Sequence, residues 1–256
     1  MMFDAEAGRA FAAFVLALLP RLLLYPGGLF ALLVAGLLSR LIRVSPRLVA
    51  ESPSPAPSEA GAILALALGW AGLALLPLPG LAPLPGGPDA LVPLGLLPAA
   101  SWLLLPAPVA ADRRALGGYL LLLLAPLLAL AQSSAGSLLR LLPPTTAVEA
   151  GIRWLILLAF CAGFAVISTQ PVSRDFISHF RLHIPRIGFI GVGMLISPLI
   201  LPVELFWINP LVLTALACLT TWLGALPQAQ RWVGRAVAVG WAALGLALVG
   251  VLVQGL

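Results

Sequence analysis

The chain has no lysine; all 14 of its basic residues are arginine. Charge of either sign is scarce, at 9% of 256 residues against 61% hydrophobic, whereas an ordinary soluble domain carries about 25% charged residues. Such a chain cannot cover a water-facing surface, and a soluble form would expose apolar patches far larger than monomers tolerate. The composition therefore excludes the soluble classes and points to a polytopic integral membrane protein. The lack of lysine, beside abundant Ala, Gly, Pro, Leu and Val, reads as the codon bias of a GC-rich genome. The net charge of +5 bears on orientation in a membrane and not on nucleic acid. Only two cysteines occur, Cys161 and Cys218. Neither has a Cys or His neighbour at metal-site spacing, so both read as small buried hydrophobes. Gly-x-Ser-x-Gly, His-Glu-x-x-His, Walker A and the dinucleotide glycine fingerprint are all missing. The opening Met-Met-Phe-Asp-Ala-Glu-Ala-Gly lacks a basic segment, so no cleavable signal peptide is expected.

Long apolar runs are what the chain does have. A crossing needs about 20 apolar residues to span roughly 30 Å of hydrocarbon. Runs lie at about 22–42, 60–78, 90–106, 116–133, 147–168, 186–203, 208–226 and 234–255, which predicts an all-α bundle of about eight spans. The third is the weakest, interrupted by Pro93, Pro98 and Pro106. The stretch "RLLLYPGGLF" (Arg21–Phe30) reads as the outer boundary of the first crossing, with a kink at Pro26. Arg21 would snorkel and Tyr25 would sit at the interface. A re-entrant hairpin over residues 10–28 is the alternative. The stretch "ESPSPAPSE" (Glu51–Glu59) reads as an extended linker within a single membrane domain, residues 1–256.

Arginine placement orients the bundle. With loops on alternating sides, ten arginines fall on one side: Arg40, Arg43, Arg47, Arg113, Arg114, Arg174, Arg181, Arg186, Arg231 and Arg235. Four fall on the other: Arg9, Arg21, Arg140 and Arg153. The positive-inside rule puts the richer side in the cytoplasm and both termini outside.

Ionisable residues inside spans are costly and usually functional, and here they are few. Glu149 and Arg153, at i and i+4 near the start of the fifth span, read as a helix-surface ion pair. A part in a polar path through the membrane is the alternative. The polar centre of the chain is "STQPVSRDFISHFRLHIPR" (Ser168–Arg186), which holds both histidines. Phe176, Ile177, Phe180 and Ile184 recur at helical spacing, so an amphipathic surface helix is expected before Pro185. His179 and His183 share one face of it, but a zinc site wants at least three protein ligands, so neither metal nor haem is expected. Glycines in "GFIGVGM" and near the C-terminus read as close helix packing rather than nucleotide binding.

Three stretches carry a resemblance. After the first span, "LLSRLIRVSPR" (Leu37–Arg47) stands where the subunit 1 family of respiratory complex I has a basic Glu-Arg-Arg…Gly-Pro segment. After the fifth, "STQPVSRD" (Ser168–Asp175) occupies the place of that family's Glu-Thr-Asn-Arg-x-Pro-Phe-Asp. Near the end, Leu226, Pro227, Arg231, Gly240 and Trp241 match positions of its closing Leu-Pro-Arg-x-Arg…Leu-Gly-Trp-Lys helix. The layout is similar to that family, which includes the membrane anchors of group 4 hydrogenases. The first-loop glutamate and the acidic run after the fifth span are missing, and Ala242 stands in place of the final Lys.

The resemblance implies a noncatalytic anchor subunit in a prokaryotic cytoplasmic membrane. It would have no activity alone, would work within an NADH:quinone oxidoreductase-like complex, and would have a reduced role in proton coupling. Arg40, Arg43, Arg47, Arg113, Arg114 and Arg186 would dock a soluble electron-transfer arm. Arg174, Asp175, His179, Arg181 and His183 would contact a partner or a quinone at an interface. The chain alone would bind no cofactor, and its partners would be membrane and soluble subunits and lipids. A small secondary transporter or channel is the second reading, from the broken spans "RLLLYPGGLF" and "LVPLGLLPAAS". An intramembrane enzyme acting on lipids is the third.

Overall fold

The computed structural model describes residues 5–44, 59–78, 81, 84, 91–104, 113–132, 144–169, 176–197, 208–224 and 226–254. Within them, the side chains of residues 5, 42–44, 113–114, 176–179, 227 and 230 lie outside the description. Arg47, Arg174, Asp175 and linker residues 51–58 are outside the described residues altogether.

Every regular element among the described residues is helical: α1 (Ala5–Leu23), α2 (Gly28–Val44), α3 (Glu59–Ala74), α4 (Leu91–Leu103), α5 (Arg113–Ala131), α6 (Ala147–Ser168), α7 (Phe176–Ile196), α8 (Asn209–Gly224) and α9 (Pro227–Gln254). Three helical segments are long and apolar enough to cross a membrane: Glu6–Leu41, which takes in α1 and α2, then Ala147–Ser168 and Arg231–Gln254. The remaining apolar helices are shorter. At 1.5 Å per residue, the 13 residues of α4 reach only about 20 Å.

Local sequence explains the helix ends. Thr146 is extended (φ −128°, ψ 155°) and its hydroxyl accepts the Glu149 N–H at 3.1 Å. The Glu149 carboxylate in turn accepts the N–H of Thr145, just outside the helix, at 2.7 Å, so one orphan donor is filled and the entry to α6 is fixed. Proline opens α9 at Pro227, where no intrahelical N–H is needed.

The stretch around Pro26 is a break between two helices. Residues 24–27 belong to neither α1 nor α2. The Gly27 N–H bonds back to the Arg21 carbonyl at 2.9 Å, and Trp70 donates from α3 to the Leu22 carbonyl at 2.9 Å. Gly28 takes a positive φ of 37°, and a Cβ there would collide with the Leu23 carbonyl. Arg21 does not snorkel outward as expected. It is 6% exposed, beside a turn on which α3 packs at Leu22 and Gly27.

Glycine and alanine contacts set helix directions. Gly118 of α5 meets Val166 of α6, and Gly163 meets Leu121 and Leu122, so these helices are antiparallel. Gly240 meets Ala162 and Gly250 meets Ile152, which makes α9 antiparallel to α6 as well. Gly69 touches Pro185 while Gly191 touches Leu76, so α3 and α7 run together. Gly72 and Gly188 both meet Leu97, and Trp102 stacks edge-on against Tyr119, which turns α4 back toward the start of α5. Gly224 lies against the Ser168 carbonyl, bringing the ends of α6 and α8 together. From α2 to α9 the helices therefore alternate in direction. One end of the bundle, the basic end, collects the starts of α3, α5, α7 and α9 and the ends of α2, α4, α6 and α8.

The helix with the most neighbours is α7, packed on α2, α3, α4, α5, α6 and α8. This overturns the expectation of a surface helix stopping at Pro185. The helix runs unbroken from Phe176 to Ile196 with Pro185 inside it. Neighbouring helices cover both sides of the proline, and residues 183–192 are all buried. A membrane bundle can satisfy or shield the carbonyl that proline frees. The outer faces carry large apolar side chains: Leu246, Val249, Leu252 and Val253 of α9 are all 58–67% exposed.

Candidate functional site

Two features stand out: a buried cation and an apolar cavity. Arg186 of α7 is 3% exposed, and its Nη2 donates to the Ile167 carbonyl of α6 at 2.6 Å. Its Nε has no acceptor among the described residues. Tyr119 of α5, itself 5% exposed, is near enough to interact electrostatically with the guanidinium. Trp102 of α4 closes the group edge-on to Tyr119, with ring centroids 5.7 Å apart. His183 lies one turn before Arg186 on the same helix and is 0% exposed. Three helices thus meet at one guanidinium close to the basic end of the bundle, with α4 behind Tyr119. Each desolvated ion costs several kcal/mol even after relaxation, so placing it there needs a reason.

The residues singled out in the sequence scatter differently from expectation. His183 and Arg186, expected at the membrane interface, are core residues, because α2, α3 and α4 cover α7 from its middle onward. Arg186 is thus buried within this chain. Arg181 is half-buried and its Nε lacks an acceptor among the described residues. Arg40 is exposed on the last turns of α2. Arg43, Arg113, Arg114 and His179 lie on described helical backbone, but their side chains are outside the description. Glu149 and Arg153 pair at 3.4 Å, with Arg153 only 8% exposed. They lie at the opposite end of the bundle from Arg186 and do not join it.

The second feature was not legible in the sequence. A cavity of about 550 Å³ lies between α6, α7, α8 and α9. Small residues make the space: Ala165 of α6, Gly193 of α7, Gly224 of α8, and Ala229 and Ala236 of α9. Phe160, Phe164 and Trp232 form its larger walls. Three of the hydroxyls on its surface are turned into their own helices. Ser168 donates to Phe164 O at 3.1 Å, Thr169 to Ala165 O at 3.0 Å and Thr220 to Leu216 O at 2.8 Å. Most of what faces the space is hydrocarbon, with Ser197 and Cys161 among the lining residues. No three His, Cys, Asp or Glu side chains converge among the described residues.

These observations define the chain as an all-α protein with three helical segments long and apolar enough to cross a membrane. Comparison with family models, with curated proteins and with solved structures finds no match.

Proposed function

We propose that this chain is a noncatalytic membrane-anchor subunit of a complex I-like or related redox assembly. In this reading α2 to α9 make eight crossings of a prokaryotic cytoplasmic membrane, the basic end faces the cytoplasm, and both termini lie outside. A soluble electron-transfer arm docks on the basic end, and a quinone approaches beside the start of α7.

The observation that supports the reading is the gathering of cations at one end of the bundle. Arg40 at the end of α2, Arg113 and Arg114 opening α5, Arg181 on α7, and Arg231 and Arg235 on α9 all fall there, while Glu149 sits at the other end. Alternating helix directions produce this grouping from residues far apart in the sequence. Glu59 at the start of α3 shares this end, so the surface carries an excess of positive charge, which is suited to meeting a complementary acidic partner. A small secondary transporter or channel is the second reading, and three of the cavity's hydroxyls bond back to their own helices rather than into the space.

Mild-detergent extraction of native membranes, followed by native gel separation and identification of co-migrating chains, tests the proposal. Migration with iron–sulfur subunits at a mass well above 26.6 kDa is expected. A lone 26.6 kDa species would overturn it.

A further inference from the structure

The cavity between α6 and α9 is a feature that the anchor reading does not use. Its lining runs along α6 and its cap from Leu157 to Thr169 and along α8 from Val212 to Gly224. Twelve helical steps make it about 18 Å long. The lining is almost wholly apolar over that length, which suits an extended hydrocarbon chain.

Arginines stand beside its basic end. At the basic end, Trp232 lines the cavity while remaining 57% exposed, and the Arg235 guanidinium rests over its ring at 4.8 Å. Arg231, one turn earlier on the same side of α9, is also exposed. Neither arginine pairs with a carboxylate among the described residues. A zwitterionic headgroup brings its own cation beside its phosphate, whereas an anionic headgroup leaves its phosphate charge free for the two arginines.

We propose that the cavity holds one acyl chain of an anionic phospholipid, with the lipid phosphate beside Arg231 and Arg235. Basic residues at helix ends next to an apolar crevice are a general means of capturing such headgroups. The lipid would fill the gap left by Gly193 and Ala236 and join α9 to α8, a helix pair with little direct contact. This proposal does not depend on the redox reading.

The test uses the full chain purified in mild detergent, with native mass spectrometry reading the retained molecule and mixed-micelle competition reading preference. Phosphatidylglycerol is compared with phosphatidylcholine. One retained anionic phospholipid is expected. Each arginine near a membrane surface contributes about 5-fold in affinity for anionic lipid, so the two together should give roughly 25-fold preference. Arg231→Gln with Arg235→Gln should abolish that preference while leaving a lipid bound. Ala165→Trp with Ala236→Trp, which fills the crevice, should expel both lipids. Equal retention of the two lipids by the unaltered chain, a retained quinone, or no retained molecule would each overturn the proposal. So would undiminished retention by a folded filled variant. The arginine variant changes only exposed side chains, so it decides the question even if the filled variant does not fold.

Discussion

Arg186 is the residue whose replacement says most about how the bundle is held. Its guanidinium donates to Ile167 O at 2.6 Å, and a hydrogen bond from a charged donor contributes about 1.5–3 kcal/mol. Against this stands a desolvation cost of several kcal/mol for a buried ion with no carboxylate partner among the described residues. The carbonyl is not stripped bare by substitution, because the Thr169 N–H also points to it. Arg186→Met keeps most of the stem and removes the charge. Its stability should lie within about 1 kcal/mol of the unaltered chain, or above it. Arg186→Ala removes the stem as well and leaves a cavity among Tyr119, Ile167 and the α7 core. A loss of about 3 kcal/mol is expected there, as for other large-to-small core changes. For a chain of this size 1 kcal/mol moves the melting midpoint by roughly 2–4 °C. The alanine variant should therefore melt about 6–12 °C lower, and the methionine variant within about 4 °C. Tryptophan fluorescence during heating in detergent measures both. If Met falls as far as Ala, the charge itself clamps α6 to α7 and the desolvation argument fails.

Other consequences follow from packing and topology. A Cβ on Gly163 would stand 2.6 Å from the Gly118 carbonyl and 3.0 Å from Leu121 Cβ, so Gly163→Ala should lower stability by about 1–3 kcal/mol. Gly245→Ala on α9 has nothing within 4 Å and should raise stability by about 0.5–1 kcal/mol through helix propensity; equal melting shifts for the two would refute the packing assignment. Gly28→Ala should cost more than about 1–2 kcal/mol, because φ is positive and Cβ meets the Leu23 carbonyl; melting within 1 °C of the unaltered chain would contradict that turn. In a background lacking Cys161 and Cys218, Arg40→Cys and Thr145→Cys should react with impermeant maleimide from opposite sides of a sealed membrane, and labelling from one side would break the alternation of helices.

Parts of the fold are legible from hydropathy and caps because they depend on nearby residues. The fifth apolar run, 147–168, coincides with α6, whose start is written in Thr146 and Glu149. The last run begins earlier than expected, since Pro227 serves as a first helical residue and carries α9 back over the preceding loop. Glu59, read as linker, opens α3. Pro185 misled because its neighbours determine whether a proline ends a helix, and those neighbours come from α3 and the rest of the bundle. The same limit applies to His183 and Arg186. Charge counting locates the end of the bundle near which they lie but not whether they face inward. The cavity is harder still to foresee. It is made by alanines and glycines on four helices, and such residues elsewhere in this chain serve to close gaps, as Gly118 and Gly163 do.

A photo-reactive residue at Arg40, compared with one at Val148, tests the proposed docking face most directly. Both positions are exposed, Val148 at 62%, and they lie at opposite ends of the bundle. Irradiating native membranes should join the Arg40 position to a soluble iron–sulfur polypeptide and leave the Val148 position without one. The same soluble partner at both positions, or none at Arg40, would contradict a docking surface at the basic end.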